Sequence, residues 1–174
     1  MDPGSGQMFG DDPVCNHFLT DDTAMSMVEN TRTPGDVSAT EYDAIFFPGG
    51  FGAMFDMPDN AEINTLTASI YEAGGVVAGV GNGVVSLVNV KLSSGEYMVA
   101  GKSVTAFTNT QLETIQLVDY MPFLLETKLT ENGGRFVDGG DWSANVVTDG
   151  RLVTGQNPQS ASGVAEEIMK LLNN

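Results

Sequence analysis

The chain has 174 residues, of which 41% are hydrophobic and 17% are charged, a composition that suits one folded domain and excludes a disordered tail. It carries 23 acidic and 7 basic residues, and the net charge of −16 disfavours nucleic-acid and anionic-membrane partners and favours solubility. A single cysteine cannot form an internal disulfide. No spanning apolar run and no signal-peptide pattern is found in the sequence, so a cytoplasmic protein is the default expectation.

The beginning of the chain predicts mainly irregular structure. Residues 1–17 are rich in glycine, proline and aspartate, a composition typical of a loop. A short helix is predicted next, capped by Thr20 or Asp21, with Met25 and Val28 facing inward.

Two apolar runs then predict neighbouring buried strands. Residues 43–47 form the first run and residues 76–80 form the second. Between them, residues 60–73 show apolar side chains at helical spacing, with Asp59 as the predicted N-cap. Strands that alternate with helices predict an α/β domain with a largely parallel sheet.

The second half of the chain continues this alternation. Residues 98–105 have the character of a hairpin, and residues 111–129 are predicted to be helical with an interruption at Pro122. Short strands follow, two of them joined by Asp149-Gly150, which is a strong hairpin turn. Residues 162–172 are predicted to form the closing helix.

Two glycine-rich turns follow the predicted strands, the first in residues 47–52 and the second in residues 80–83. They are the candidate functional site, because sites in open α/β sheets form outside the carboxyl ends of the strands. The second turn joins a strand to a helix, as a nucleophile elbow does. Backbone N–H groups of both turns can face one cavity, as an oxyanion hole requires. The candidate pocket residues are Gly49, Gly50, Phe51, Gly81, Asn82, Gly83 and Glu113.

Longer segments resemble a known family in order and spacing. They are residues 42–50 (YDAIFFPGG), 57–60 (MPDN), 99–102 (VAGK), 107–109 (FTN), 122–126 (PFLLE) and 154–158 (TGQNP). Together they resemble the DJ-1/PfpI superfamily, in particular its Hsp31-like, glyoxalase-III-like branch. The resemblance implies a flavodoxin-like three-layer α/β sandwich, often dimeric. It implies one domain over residues 1–174, with residues 1–40 irregular or in a short helix and the family core in residues 41–174.

The resemblance also implies a Cys–His pair at the elbow, from which this chain departs. Gly81 stands at the Cys position and Asn82 at the adjacent His position, while Phe51 stands where the branch commonly has a His. The family's opening strand–helix–strand unit, with its activating Glu, has no counterpart, so the chain is interpreted as N-terminally truncated relative to the family. Glu113 lies near the family's His-supporting acid, but a surface glutamate is the preferred interpretation.

Other residues are weighed and set aside. Cys15 and His17 are considered as a substitute nucleophile and base and, with Asp11 and Asp12, as metal ligands. No orienting acid accompanies the pair and no metal-ligand spacing is met, so a solvated loop is preferred and neither a metal nor a cofactor is predicted. Trp142 is interpreted as packing under a loop rather than binding a ligand.

Three functions remain open at this point. We favour a pseudoenzyme, a catalytically silent protein acting as a binding or structural subunit, because glycine offers no nucleophile and an amide takes up no proton near neutral pH. The alternatives are an enzyme of the glyoxalase-III or hydratase-like class with altered chemistry, in which Asn82 polarises the substrate, and a non-autonomous fragment. The missing opening unit predicts a homo-oligomer, or a protein partner that supplies the missing strands.

Overall fold

A computed structural model describes residues 10–174 of the chain, which divides into two compact units, Met1–Val37 and Ser38–Asn174. No helix within these described residues is long and apolar enough to cross a membrane. The helices and strands are, in chain order, α1 Pro13–Thr20, α2 Asp22–Glu29, β1 Ala44–Phe47, α3 Ala53–Asp56, α4 Ala61–Glu72, β2 Val76–Val80, β3 Ser103–Val104, α5 Asn109–Thr114, α6 Leu125–Glu131, β4 Arg135–Phe136, β5 Val146–Asp149, β6 Leu152–Gly155 and α7 Ala161–Leu172.

The first unit contains α1 and α2, each begun by an aspartate cap. The side chain of Asp12 accepts hydrogen bonds from two backbone N–H groups at the start of α1, and Asp21 does the same for α2. The predicted loop over residues 1–17 is therefore wrong in its final part, and residues 1–9 lie outside the described residues. The predicted cap at Asp21 is confirmed, but Val28 is exposed rather than inward-facing.

The second unit is built on a four-stranded sheet in the order β1–β2–β6–β5. The first three strands in that order are parallel, and β5 pairs antiparallel with β6. The Asp149-Gly150 turn joins β5 to β6 as predicted, with Gly150 at a φ of +66° that favours glycine. The largely parallel sheet predicted from the sequence is confirmed.

Helices cover both faces of this sheet. Successive side chains of β2 point in opposite directions and therefore pack in two different clusters. Val76 and Val80 pack with Val164 of α7 on one face. Val77 packs in the larger cluster on the other face, which includes Ile63 of α4. Helices on both faces of a mostly parallel sheet confirm the flavodoxin-like α/β class.

One predicted element in the second half of the chain is wrong in its pairing, and another has the predicted interruption. The hairpin over residues 98–105 does not form, because β3 pairs in parallel with the distant β4. The N–H of Gly101 instead donates to the carbonyl of Gly133, 2.8 Å away. The helical stretch predicted over residues 111–129 is two helices, α5 and α6, and the predicted interruption at Pro122 is confirmed, with a short 3₁₀ turn at Val118–Tyr120 in the same break.

The start of α4 is displaced by one residue from the predicted cap. Asn60 is the N-cap, and its side-chain oxygen accepts the N–H of Ile63 at 3.0 Å. Asp59 instead accepts a hydrogen bond from the side-chain amide of Asn89 at 3.0 Å. Both residue types are good caps, so a tertiary hydrogen bond decides between them.

Strand β1 lies at one edge of the sheet, pairing with β2 alone among the described residues. Its Phe46 is 39% exposed. Edge strands present unpaired backbone donors and acceptors that can pair with another chain. The expected homo-oligomer, or partner that supplies strands, stays a prediction.

Asp149 connects the β5–β6 hairpin by hydrogen bonds to the residues at the start of β3. Its carboxylate accepts the N–H of Ser103 at 2.9 Å and the Nζ of Lys102 at 3.1 Å, and Arg135 lies 3.5 Å away. The hydrogen bond from Ser103 is the largest cause that lowers the pKa of Asp149; burial opposes it, and the two cations lower the pKa further.

We expect Asp149→Asn to reduce the free energy of unfolding by about 2 kcal/mol at about pH 7. Because the pKa is lowered in the folded state, the carboxylate stabilises the fold above its unfolded pKa of about 3.9, and this stabilisation is lost as the pH falls through the folded value. Urea unfolding at about pH 7 and about pH 2.5 measures the difference, with exposed Asp119→Asn as the control. An undiminished difference at the lower pH would contradict this assignment.

Candidate functional site

The two glycine-rich turns meet at the carboxyl ends of the parallel strands β1 and β2. A Cβ atom on Gly49 would lie 2.6 Å from the carbonyl oxygen of Val80. A Cβ atom on Gly83 would collide with the carbonyl oxygen of Phe47 and lie 2.7 Å from the nitrogen of Gly49. The turns therefore pack backbone against backbone, which only glycine permits at Gly49 and Gly83.

The first turn presents a row of unpaired donors. Gly49 and Gly50 have φ values of +100° and +104°. Among the described residues, the N–H groups of Gly49, Gly50 and Phe51 have no hydrogen-bond acceptor. Unpaired backbone N–H groups are the donors from which an oxyanion hole is built, so this turn can stabilise a developing oxyanion.

The second turn has open space beside Gly81. Gly81 is buried and has a φ of +57°. A Cβ atom placed on it would have no heavy atom within 4 Å, so open space lies beside the elbow. Its neighbour Asn82 is buried at 7% exposure. Neither turn carries a titratable side chain.

Three aromatic side chains from distant parts of the chain form a row that begins at the first turn. Phe51 follows Gly50 directly, and its ring meets Phe107 edge-on with 5.9 Å between centroids. Phe107 in turn meets Trp142 edge-on at 5.8 Å. Trp142 is 40% exposed, so the expectation that it packs under a loop is wrong. We call Phe51, Phe107 and Trp142 the aromatic wall.

Buried amides that follow β6 support the loop carrying Trp142. Gln156 accepts the N–H of Gly139 at 2.9 Å through Oε1, and its Nε2 donates to the carbonyl of Gly140 at 2.9 Å. The amide of Asn157 donates to the carbonyl of Ser143 at 2.7 Å. Both amides are fully buried. The amino-acid sequence singles out the segment 154–158 but does not indicate the hydrogen-bond partners of its amides.

A smaller polar cluster lies between Phe107 and Trp142. The hydroxyl of Thr108 donates to Asp141 at 3.3 Å, and the N–H of Thr108 donates to Oε1 of Gln111 at 3.2 Å. The Nε2 of Gln111 is buried without a hydrogen-bond partner among the described residues. Glu113, farther along α5, is exposed. Its place in the pocket stays a prediction.

Cys15 and His17 lie in the first unit, on α1. Burial is the main cause that raises the pKa of the Cys15 thiol, and the negative charge of Asp12 raises it further. A raised pKa keeps the thiol protonated and a poor nucleophile. Within residues 10–174, no three His, Cys, Asp or Glu side chains are grouped to hold a metal ion.

Comparison with known proteins decides the family. The sequence profile of the DJ-1/PfpI family matches residues 19–171. The chain belongs to the DJ-1/PfpI family. It is 35% identical over 163 residues to a probable glutathione-independent glyoxalase of Schizosaccharomyces pombe, covering 87% of this chain and 61% of the relative. Glyoxalase 3 of Candida albicans is 30% identical over 148 residues, covering 82% of this chain and 63% of the relative.

A solved structure extends this similarity to three dimensions. The Rapid Encystment Protein of 24 kDa from Francisella tularensis has a TM-score of 0.87 and 38% identity, with 91% of this chain and 71% of that chain covered. The chain thus spans somewhat less than two thirds of the two curated relatives and about seven tenths of this structure.

The names of the two curated relatives contradict the function that was favoured from the sequence. A catalytically silent binding or structural subunit, and with it the expectation that the chain is not an enzyme, is wrong, because relatives at 30% and 35% identity are named glyoxalases. The error was to treat the absence of a side chain at Gly81 as the loss of all chemistry. The finding favours the alternative, an enzyme of the glyoxalase-III-like class with altered chemistry.

Proposed function

We propose that the chain is a glyoxalase-III-like enzyme that converts small 2-oxoaldehydes into 2-hydroxycarboxylates by a route without a thiol at the elbow. The glyoxalase names of the relatives support the reaction class. The single observation that carries the proposal is the open space at buried Gly81, next to the turn that carries the unpaired N–H groups of Gly49 and Gly50.

The altered chemistry follows from the side chains at the elbow. In this proposal, Gly81 and Asn82 occupy the positions where the Hsp31-like branch has its Cys–His pair. Glycine cannot form a covalent adduct with a carbonyl, and an amide cannot abstract a proton from carbon near neutral pH. A route through a thiohemiacetal and a base-generated enediol is therefore excluded from the proposal.

Hydration followed by hydride transfer needs neither group. Water adds to the aldehyde carbon to give a gem-diol, which loses one proton to solvent. A hydride then moves from that carbon to the adjacent ketone carbon, so the first carbon is oxidised by two electrons and the second is reduced by two. The new carboxylic acid passes its proton to the new alkoxide. The net reaction consumes one water and gives the 2-hydroxycarboxylate and one proton.

The protein's part in this route is electrostatic. The ketone oxygen becomes an alkoxide as the hydride arrives, and the N–H groups of Gly49, Gly50 and Phe51 are unpaired donors for that charge. Fixed donors aimed at developing charge are worth about 10²- to 10³-fold each in rate. The open space beside Gly81 gives the substrate carbonyls room next to these donors.

Turnover in deuterated water tests the proposal. We expect methylglyoxal to be converted to lactate, with unchanged kcat in Cys15→Ser because the thiol of Cys15 takes no part. Hydride transfer leaves protium on C2 of the lactate, whereas an enediol route places deuterium there, and proton NMR of the product separates the two. Absence of turnover would overturn the function. Deuterium at C2 would overturn the route, and loss of turnover in Cys15→Ser would show that the thiol is used.

A further inference from the structure

Two of the three side chains of the aromatic wall are partly open to solvent. Phe107 is buried at 7% exposure, Phe51 is half-buried and Trp142 is 40% exposed. The rings therefore form a row that begins at the first turn, next to Gly50, and ends at the surface.

The wall stands at the same end of the sheet as the two turns. The N–H of Thr105 donates to the hydroxyl of Thr154 at 2.9 Å, and Thr154 pairs with Gly79, two residues before Gly81. The segment leading to Phe107 therefore contacts β6 level with the carboxyl-terminal part of β2. A ligand whose carbonyl oxygens contact the N–H groups of the first turn has these rings beside it.

The exposed end of the wall is fixed in place. Trp142 has a φ of +59°, a conformation that residues with a Cβ rarely adopt and that persists only where the surroundings impose it. The hydrogen bonds that Gln156 and Asn157 make with the loop before and after Trp142 hold it in this conformation. Strained residues of this kind cluster at ligand-binding sites.

We infer that the site prefers 2-oxoaldehydes that carry an aryl group, with the dicarbonyl at the first turn and the aryl ring against Trp142 and Phe107. This inference rests on the proposed function for its reaction. An aryl substituent gains edge-on or offset ring contacts and buries apolar area that a methyl group does not. We expect kcat/KM for phenylglyoxal to exceed that for methylglyoxal by about tenfold or more.

The ratio of these two kcat/KM values is the kinetic test. Trp142→Ala and Trp142→Gly should both lower the ratio by about fivefold or more, and Trp142→Gly removes the backbone strain as well as the ring. Tyr120→Ala is the matched control, because Tyr120 is an aromatic side chain at 70% exposure outside the wall, and it should leave the ratio unchanged. A ratio near one, or a ratio that Trp142→Ala does not lower, would overturn the inference.

Binding of the products gives a readout that needs no turnover. Trp142 is the single tryptophan of the chain, so its fluorescence reports directly on the wall. We expect mandelate, the product from phenylglyoxal, to change this fluorescence saturably, with a Kd about tenfold or more below that of lactate. N-acetyltryptophanamide corrects for collisional quenching. Equal effects of mandelate and lactate would refute the aryl subsite even if both aldehydes are converted. Selective mandelate binding without turnover of either aldehyde would support the subsite and refute the proposed function.

Discussion

Gly81→Leu is expected to lower the turnover of methylglyoxal by about 100-fold or more while the chain stays folded. The open space beside the elbow is where the proposal places the substrate carbonyls, and a leucine side chain would occupy it. Displacement of a substrate by about 1 Å costs about 10²-fold in rate, and exclusion from the site costs more.

Gly95→Leu provides the matched control for backbone strain. Gly95 has a φ of +86° and, like Gly81, has no heavy atom within 4 Å of a built Cβ, but it lies on an exposed loop. Leucine in this left-handed region costs about 1–2 kcal/mol at either position, so both variants should lose similar stability in urea unfolding. Only Gly81→Leu should lose activity. Equal turnover in the two variants would show that the reaction takes place elsewhere.

The parts of the fold that the sequence predicted are those set by local pattern. Strands β1 and β2, the Asp149-Gly150 hairpin and the closing helix α7 each follow from an apolar run, a turn dipeptide or helical spacing. The glycines of the two turns were also found this way, because backbone packed on backbone leaves a glycine requirement in the sequence.

The aromatic wall could not be predicted, because contacts between distant segments create it. Phe51, Phe107 and Trp142 come from three separate loops, and the position of Trp142 depends on Gln156, which follows it by 14 residues. An isolated tryptophan after Gly139-Gly140-Asp141 carries no sign of whether it is covered or exposed. For the same reason the pairing of β3 with β4 was missed, since 30 residues separate the two strands.

The function was misjudged on a different ground. The chemistry that Gly81 and Asn82 lack was given more weight than the backbone donors of the two turns, whereas relatives named glyoxalases favour an enzyme. The glycine pattern predicts such N–H donors, but whether the groups at Gly49 and Gly50 are unpaired depends on contacts that the sequence does not record. A missing nucleophile therefore argues against one mechanism rather than against catalysis.

The contact between the two turns predicts a large loss of stability when Gly83 is replaced. Gly83→Ala would place a methyl group against the carbonyl oxygen of Phe47 and 2.7 Å from the nitrogen of Gly49. Both of these atoms belong to the backbone, and Phe47 is held by the parallel pairing of β1 with β2, so its carbonyl oxygen cannot move aside as a flexible side chain would. We expect the free energy of unfolding to fall by about 3 kcal/mol or more.

Gly52→Ala separates this steric effect from the general effect of replacing glycine near the site. Gly52 precedes α3 with helical φ and ψ values of −56° and −35°, and a built Cβ has no heavy atom within 4 Å. Alanine there should be neutral or stabilising by about 0.4–1 kcal/mol, because it restricts the unfolded chain. Urea unfolding followed by circular dichroism compares the two variants. If Gly83→Ala lost less than about 1 kcal/mol, the turns would not be in backbone contact, and the donors at Gly49 and Gly50 would no longer lie beside the elbow.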